Sequence, residues 1–143
     1  MRRQMTDRYT PAQLYSLAFG ATLLLVGILG FIAEASFDAG SDVNGSNFIL
    51  FEVNGWHNLV HIASGLVGLL LWRSLAGARS FALGFGVVYG IVTLWGFIDG
   101  NDVLSLIPVN AADNVLHLAI SALGIAAGLA SREHPAGARQ ATV

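Results

Sequence analysis

The 143-residue chain contains no cysteine and no lysine, and only 11% of its residues are charged. Without cysteine it can form no disulfide, no thiolate nucleophile and no zinc–thiolate site. Soluble domains carry about a quarter charged residues, so these few charges cannot cover a surface that faces water. The sequence has no dense basic patch either, which argues against nucleic acid as a partner. These absences predict a chain that is covered largely by lipid.

What is present is apolar, since 55% of the residues are hydrophobic. Four apolar runs are each close to the ~20 residues that cross ~30 Å of hydrocarbon as a helix. The sequence therefore predicts an all-α integral membrane protein, a bundle of four transmembrane helices in one domain over residues 1–130. The predicted spans lie at about 11–33, 55–74, 80–98 and 111–130.

Helix-capping residues precede these runs. Thr10 stands before Pro11, and Gln13 is placed to complete a capping box. Asn54, Ser80 and Asn110 are also residue types that favour the N-cap position.

Arginine positions set the predicted direction of the spans. Every arginine lies before the first run, between the second and third, or after the fourth. Positive residues favour the cytoplasmic side, so we expect both termini to be cytoplasmic, with residues 131–143 as a disordered cytoplasmic tail. The long outer loop from about Glu34 to Val53 ends in an apolar stretch. We interpret that stretch as an interfacial turn or a short surface helix.

A pattern recurs in the chain. The second and fourth runs both open with Asn-x-x-x-Asn-x-x-His, and the first and third end with Gly-Phe-Ile. Two tandem helical hairpins explain both matches, related by a pseudo-two-fold axis along the membrane normal. The asparagines and histidines of each pattern lie on one face of a helix, and these two faces would place the second and fourth spans face to face across that axis.

The segment Phe51-Glu-Val-Asn-Gly-Trp-His-Asn-Leu-Val-His61, followed by Asn110-Ala-Ala-Asp-Asn-Val-Leu-His117, resembles an actinobacterial family of four-helix membrane proteins. That family is catalogued as domain of unknown function 4383, and the resemblance runs from the first span to Ser131. It implies the four-helix fold and a bacterial cytoplasmic (inner) membrane. It implies no activity, substrate or cofactor.

One polar site is predicted within the bundle, because lipid accepts polar groups only at a cost. Its candidate ligands are His57, His61, His117 and Asp113. Three imidazoles beside a carboxylate suffice to hold a metal ion, and His61 with His117 could instead ligate a haem or a chlorophyll. Hydrogen bonding between helices, with Asp113 completing a capping box, is the preferred interpretation of these residues, and ligand binding is the alternative. The supporting residues are Asn54, Asn58, Asn110, Asn114, Glu34 and Asp99.

Glu34 and Asp99 end the matching first and third spans, so we expect them to reach the histidines. Gly86-x-x-x-Gly90 and Gly124-x-x-x-Gly128 are interpreted as packing faces within the chain, with contacts to another subunit as the alternative. His134 in the tail has no evident role.

No catalytic motif is visible, so we expect a protein that is not an enzyme. The leading interpretation is a structural or accessory membrane protein without a cofactor, which self-associates or packs on a larger complex. The first alternative is a metal- or tetrapyrrole-binding protein that uses the histidine cluster. The second is external pH sensing or proton handling, because imidazoles titrate near neutral pH.

Overall fold

The computed structural model describes residues 9–99 and 102–132, apart from the side chain of Asp42. Within these residues the protein is mostly helical and has four α-helices and one short 3₁₀ helix, Gly40–Asp42. The predicted disordered tail and His134 lie outside the described residues, except for the tail's first two residues. The helices are α1 (Pro11–Ala33), α2 (Gly55–Leu71), α3 (Leu75–Asp99) and α4 (Ala111–Ala130).

The predicted capping residues of three helices are confirmed. Thr10 accepts a hydrogen bond from the Gln13 backbone, and the Gln13 side chain returns to the Thr10 backbone in a capping box. Asn54 accepts from the backbone of His57, and Asn110 accepts from that of Asp113. Each cap satisfies backbone donors that the first turn of a helix leaves free.

The turn between α2 and α3 is shorter than the sequence predicts. Helix α2 ends at Leu71, and α3 begins at Leu75, so Ser80 lies inside the helix and the prediction of Ser80 as its N-cap is wrong. Ser74 precedes the helix, and its hydroxyl accepts from the Gly77 backbone at 3.0 Å. Arg79 also lies inside α3, and its guanidinium donates a hydrogen bond to the Gly128 carbonyl at 3.0 Å, near the end of α4.

Two β-hairpins cover the opposite end of the helices, and the all-α prediction did not anticipate them. Strands β1 (Ser46–Phe48) and β2 (Phe51–Val53) form one antiparallel pair, and β3 (Asp102–Val103) and β4 (Ile107–Pro108) form the other. The apolar stretch at the end of the first outer loop is therefore a strand-and-turn segment, and the alternative of a short helix is wrong. Its turn residue Ile49 has φ 64° and an exposed side chain.

Helix packing follows the order of the chain. Helix α1 packs chiefly along α2, and α3 along α4, while α1 also contacts α3 and α4. Glycines permit the closest approaches: an added Cβ at Gly65 would lie 2.7 Å from the Gly20 carbonyl oxygen, and one at Gly124 would lie 2.8 Å from that of Ala82. The prediction of glycine packing faces within the chain is confirmed at Gly86, Gly124 and Gly128.

Buried positions correspond between the two helical hairpins, α1–α2 and α3–α4, when Gly30 is aligned with Gly96. Every buried residue of α1 has a buried counterpart in α3. The counterparts, in order, are Ala12 and Ala78, Tyr15 and Phe81, Ser16 and Ala82, Gly20 and Gly86, Leu23 and Tyr89, Gly27 and Thr93, and Gly30 and Gly96.

Three of the described helices, α1, α3 and α4, are long and apolar enough to cross a membrane, judged by length and composition. Helix α2 is shorter, with 17 residues, and would extend for about 25 Å. Most of its outward-facing side chains are nevertheless apolar and exposed, among them Leu59, Leu66 and Leu70. This pattern suits contact with lipid better than contact with water.

Candidate metal centre

Three histidine side chains converge where α2 and α4 begin. The ring centroids of His57 and His61 are 4.5 Å apart, and those of His61 and His117 are 6.5 Å apart. One ring nitrogen from each imidazole lies within 4.8 Å of one ring nitrogen from each of the other two. The structure therefore brings together the three histidines that the sequence placed in one polar site.

All three imidazoles are buried, at 2% exposure for His57, 8% for His61 and 3% for His117. Within the described residues, the Nδ1 atoms of His61 and His117 have no hydrogen-bond partner. A buried polar atom without a partner costs about 1–3 kcal/mol, and such atoms are rare in folded proteins. The cluster is therefore incomplete as a hydrogen-bonded network and offers two free nitrogens to a ligand.

The orientation of His57 is fixed from outside the cluster. Its Nδ1 atom lies 2.8 Å from the Glu52 carbonyl oxygen, which can only accept a hydrogen bond, so Nδ1 carries the proton. That tautomer leaves a lone pair on Nε2 of a neutral ring. Metal-ligating histidines commonly donate their other ring N–H to a backbone carbonyl in this way.

Asp113 does not join the converging nitrogens. Its Oδ2 atom accepts from the backbone nitrogens of Asn110 and Glu52, both at 2.9 Å. The first bond completes the capping box of α4, and the second fixes strand β2, which carries the carbonyl that orients His57. The predicted capping role of Asp113 is confirmed, and its carboxylate is a support for the site rather than one of the converging ligand groups.

The asparagines tie the helices and hairpins together around the histidines. Asn54 Nδ2 donates to the Leu106 carbonyl at 2.8 Å, and Asn110 Nδ2 donates to the Leu50 carbonyl at 3.0 Å. Asn58 Nδ2 donates to the Glu34 carbonyl at 2.9 Å, just past the end of α1. These bonds confirm that the three asparagines have structural roles.

Asn58 and Asn114 also make matching contacts on the preceding helices. The Oδ1 atom of each is buried and has no hydrogen-bond partner in the part of the chain that the structure describes, and it would collide with a Cβ added at Gly30 or Gly96, respectively. Only glycine leaves room there for the amide. These two contacts account for the glycines of the repeated Gly-Phe-Ile segments.

The carboxylates of Glu34 and Asp99 are engaged elsewhere. Glu34 accepts from the backbone nitrogens of Ala35 and Ser36 and from the Ser46 hydroxyl, which lowers the pKa of its carboxyl. Asp99 accepts from the Trp95 indole at 2.8 Å. Neither contributes to the converging set, so the expectation that they reach the histidines is wrong.

The sequence did not predict that Tyr89 and Ser64 border the site. The Tyr89 ring packs edge-on against His117, with centroids 5.0 Å apart, and its hydroxyl lies next to that of Ser64. Tyr89 is an aromatic residue in an apolar run, and only its alignment with Leu23 in the repeat distinguishes it from ordinary core residues. A groove of about 500 Å³ between α2 and α3 runs from these residues along the apolar faces of both helices.

The hairpins close the site on its other side. Val53 and Val109, which precede the capping asparagines, are both 1% exposed. Gly45 lies against Pro108, so the two hairpins contact each other above the histidines. The cluster is therefore shielded from water by the β-hairpins, while His57 and His117 also line the groove between α2 and α3.

No curated protein and no solved structure gives a significant match to the chain. The family described as Domain of unknown function (DUF4383) matches residues 13–130, which include all four helices almost completely. The matched region contains the three histidines, the capping asparagines and both hairpins. The chain therefore belongs to the DUF4383 family, as its Asn-Gly-Trp-His-Asn segment and its repeated Asn–His pattern indicated.

Proposed function

We propose that this protein is a multi-pass membrane protein that binds one transition-metal ion through His57, His61 and His117. The observation that carries the proposal is the convergence of three buried ring nitrogens within 4.8 Å of one another. Metal–nitrogen bonds of about 2.1 Å would draw these atoms somewhat closer together.

The donor set selects the class of metal. Three neutral imidazoles suit zinc, copper, iron or nickel, whereas calcium and magnesium prefer oxygen ligands. Three protein ligands also leave a fourth position of a tetrahedral ion open. We therefore propose Zn²⁺ or Cu²⁺ as the first ions to test.

The geometry favours a single ion over a haem or a chlorophyll. A macrocycle ligated by both His61 and His117 needs a clear plane between the two rings. The His57 ring occupies this region, at centroid distances of 4.5 Å from His61 and 5.9 Å from His117. The hairpins above the cluster supply no arginine for the acidic groups of such a cofactor.

The proposed setting is a bacterial cytoplasmic membrane crossed by all four helices, with both termini inside. The described arginines support this direction, since Arg73, Arg79 and Arg132 all lie at the end where α1 begins and α4 finishes. The hairpin end carries only acidic charges. The matching buried positions and caps support two tandem hairpins as the internal organisation.

A structural or accessory role, alone or within a larger complex, stays a prediction, as do the absence of enzymatic activity and the sensing of external pH. The exposed apolar helix faces are what lipid contact requires, so they do not by themselves favour a protein partner. Metal binding is compatible with an accessory role, because a bound ion would stabilise the end of the bundle.

The proposal is tested on the full chain in detergent, stripped with a chelator and titrated with Zn²⁺, Cu²⁺ or Co²⁺. We expect one ion per chain, an increase in melting temperature on binding, and Co²⁺ absorption bands typical of low coordination number. His61→Leu and His117→Leu should each weaken binding at least 10-fold. His134→Ala is the matched control, because that histidine belongs to the tail, and it should bind as the unmodified chain does.

Two outcomes would overturn the proposal. One is a folded chain that binds none of these ions more tightly than the His57→Leu, His61→Leu, His117→Leu triple variant. The other is binding that disappears in His134→Ala but persists in the triple variant.

A further inference from the structure

We infer that the groove between α2 and α3 binds a neutral, lipid-soluble molecule with a carbonyl-bearing ring head and an apolar tail, the chemistry of a membrane quinone. Its head would lie at the histidine end beside Ser64 and Tyr89, and its tail along the apolar part of the groove. This inference does not depend on a bound metal.

The groove combines an apolar channel with a small polar end. Its walls include Val60, Val67, Val88 and Val92, and its end is formed by His57, His117, Tyr89 and Ser64. At about 500 Å³, it falls within the ~300–1,000 Å³ of small-molecule pockets. The polar end lies near the hairpins and the other end near Leu71, so a ligand would align with the helices.

Comparison of the two helical hairpins shows that the polar end of the groove differs from the equivalent place between α4 and α1, where apolar residues stand at the positions of Ser64 and Tyr89. The side formed by α4 and α1 carries Ile120 at the position of Ser64, and Leu23 at that of Tyr89, and both are 4% exposed. The Tyr15 hydroxyl donates to the Ile120 carbonyl at 2.9 Å and joins α1 to α4. Phe81 stands at the Tyr15 position and has no hydroxyl, so that link is absent between α3 and α2.

Hydrogen-bond chemistry selects a neutral acceptor as the head. Tyr89 carries a hydroxyl donor at the polar end of the groove and can donate it to a carbonyl oxygen, whereas the free nitrogen of His117 belongs to the proposed metal site. Arg73, Arg79 and Arg132 lie at the opposite end of the bundle, so none of the arginines that the structure describes is available here for a phosphate head. A phospholipid head would therefore be poorly accommodated, whereas an uncharged ring carbonyl would accept a hydrogen bond from the Tyr89 hydroxyl.

The test uses purified full-length protein in detergent, titrated with a short-tailed menaquinone while tryptophan fluorescence is recorded. Trp56 precedes His57, so a quinone at the polar end is expected to quench it. Lipid extracted from the purified protein is examined for quinone by absorbance. We expect saturable binding by the unmodified chain and quinone in the extract.

Ser64→Ile places in the groove the residue type found at the equivalent position of α4, Ile120, and Tyr89→Phe removes only the hydroxyl. Each should weaken quinone binding at least 5-fold, whereas His61→Leu, at a ligand that does not line the groove, should weaken Zn²⁺ binding and bind quinone normally, which separates this inference from the metal proposal. Ala126→Ile adds equal bulk to an exposed position of α4 outside the groove and should bind quinone normally. Unchanged binding in Ser64→Ile, equal loss in Ala126→Ile, or extraction of phospholipid or fatty acid without any quinone binding would overturn the inference.

Discussion

The side-chain amide of Asn54, which caps α2, donates to the main-chain carbonyl of Leu106 at 2.8 Å in the turn of the other hairpin. Asn110 caps α4 and donates to Leu50 at 3.0 Å, in the turn of the first hairpin. Each helix cap is thus tied to the loop that precedes the other cap. This exchange closes the hairpins over the histidines.

The cap and the exchanged bond can be separated by substitution at Asn54. Serine caps a helix about as well as asparagine but cannot reach Leu106, so Asn54→Ser should lose only the exchanged bond, about 0.5–1.5 kcal/mol. Asn54→Ala loses both functions and should cost about 0.5–2 kcal/mol more. The free energy of unfolding in mixed micelles measures both values. Equal destabilisation by the two variants would show that Asn54 does not act as the cap.

A methyl group added to a glycine should change stability differently in a tight helix contact and at an open position. An added Cβ at Gly65 would lie 2.5 Å from the Leu24 backbone nitrogen, so Gly65→Ala should destabilise the protein by about 1–3 kcal/mol. Gly84 has no atom within 4 Å of such a Cβ, so Gly84→Ala should leave stability unchanged or raise it by up to ~1 kcal/mol. Thermal unfolding in one detergent compares the two. A stable Gly65→Ala variant would contradict the described packing.

Ser131 joins the beginning of α1 to the end of α4. Its hydroxyl accepts from the Ala12 backbone and donates to the Ala127 carbonyl, both at 2.8 Å, and the residue is 1% exposed. Ser131→Ala leaves a buried donor unpaired and should cost about 1–3 kcal/mol of unfolding free energy. Ser131→Thr keeps the hydroxyl and should recover most of this loss. Ser80→Ala, at an exposed serine, is the control. An equally large loss of unfolding free energy in Ser80→Ala would contradict the role assigned to the Ser131 hydroxyl.

Two carboxylates at the β-hairpin end should affect stability with opposite dependence on pH. Glu34 has a lowered pKa, chiefly because the Ser46 hydroxyl donates to it, with Ser36 and Ala35 adding to the effect. Its stabilising contribution is complete above the pKa of the unfolded chain and is lost as the pH falls through the folded value. Glu34→Gln should therefore flatten the acid side of the stability profile.

Glu52 has a raised pKa, first because of burial and then because of the Asp113 charge, although a hydrogen bond from the Gly45 backbone opposes the shift. Ionisation of Glu52 therefore destabilises the folded state as the pH rises from the unfolded to the folded pKa. Glu52→Gln should remove this loss and stabilise the protein at neutral pH. Melting temperatures across mildly acidic pH measure both variants, and profiles shifted in the same direction would contradict the assignment.

The helices were predictable from sequence where a cap and an apolar run coincide. Both ends of α1 and α4 match the prediction, because Thr10 and Asn110 provide strong local signals. The start of α3 was misplaced because Gly77 and Arg79 look like loop residues in sequence. In the structure the Ser74 hydroxyl caps the helix, and Arg79 extends to α4.

The histidine cluster followed from periodicity, whereas its surroundings did not. Equal spacing of the Asn–His patterns placed the histidines on matching faces, which indicated that they would lie together. The strands were not visible because β3 and β4 have two residues each, too few for an alternating pattern. Tyr89 and Ser64 depend on tertiary packing alone, since neither belongs to a motif.

The exchanged asparagine bonds bear on the origin of the molecule. A solitary two-helix unit would leave its capping amide without an acceptor, whereas two identical units facing each other would satisfy both, as in a symmetric dimer. Joining two gene copies would turn that concentration-dependent association into an intramolecular one. On this hypothesis, halves separated at Ser74 should reassemble when co-expressed, and two halves that never associate would argue against a dimeric ancestor.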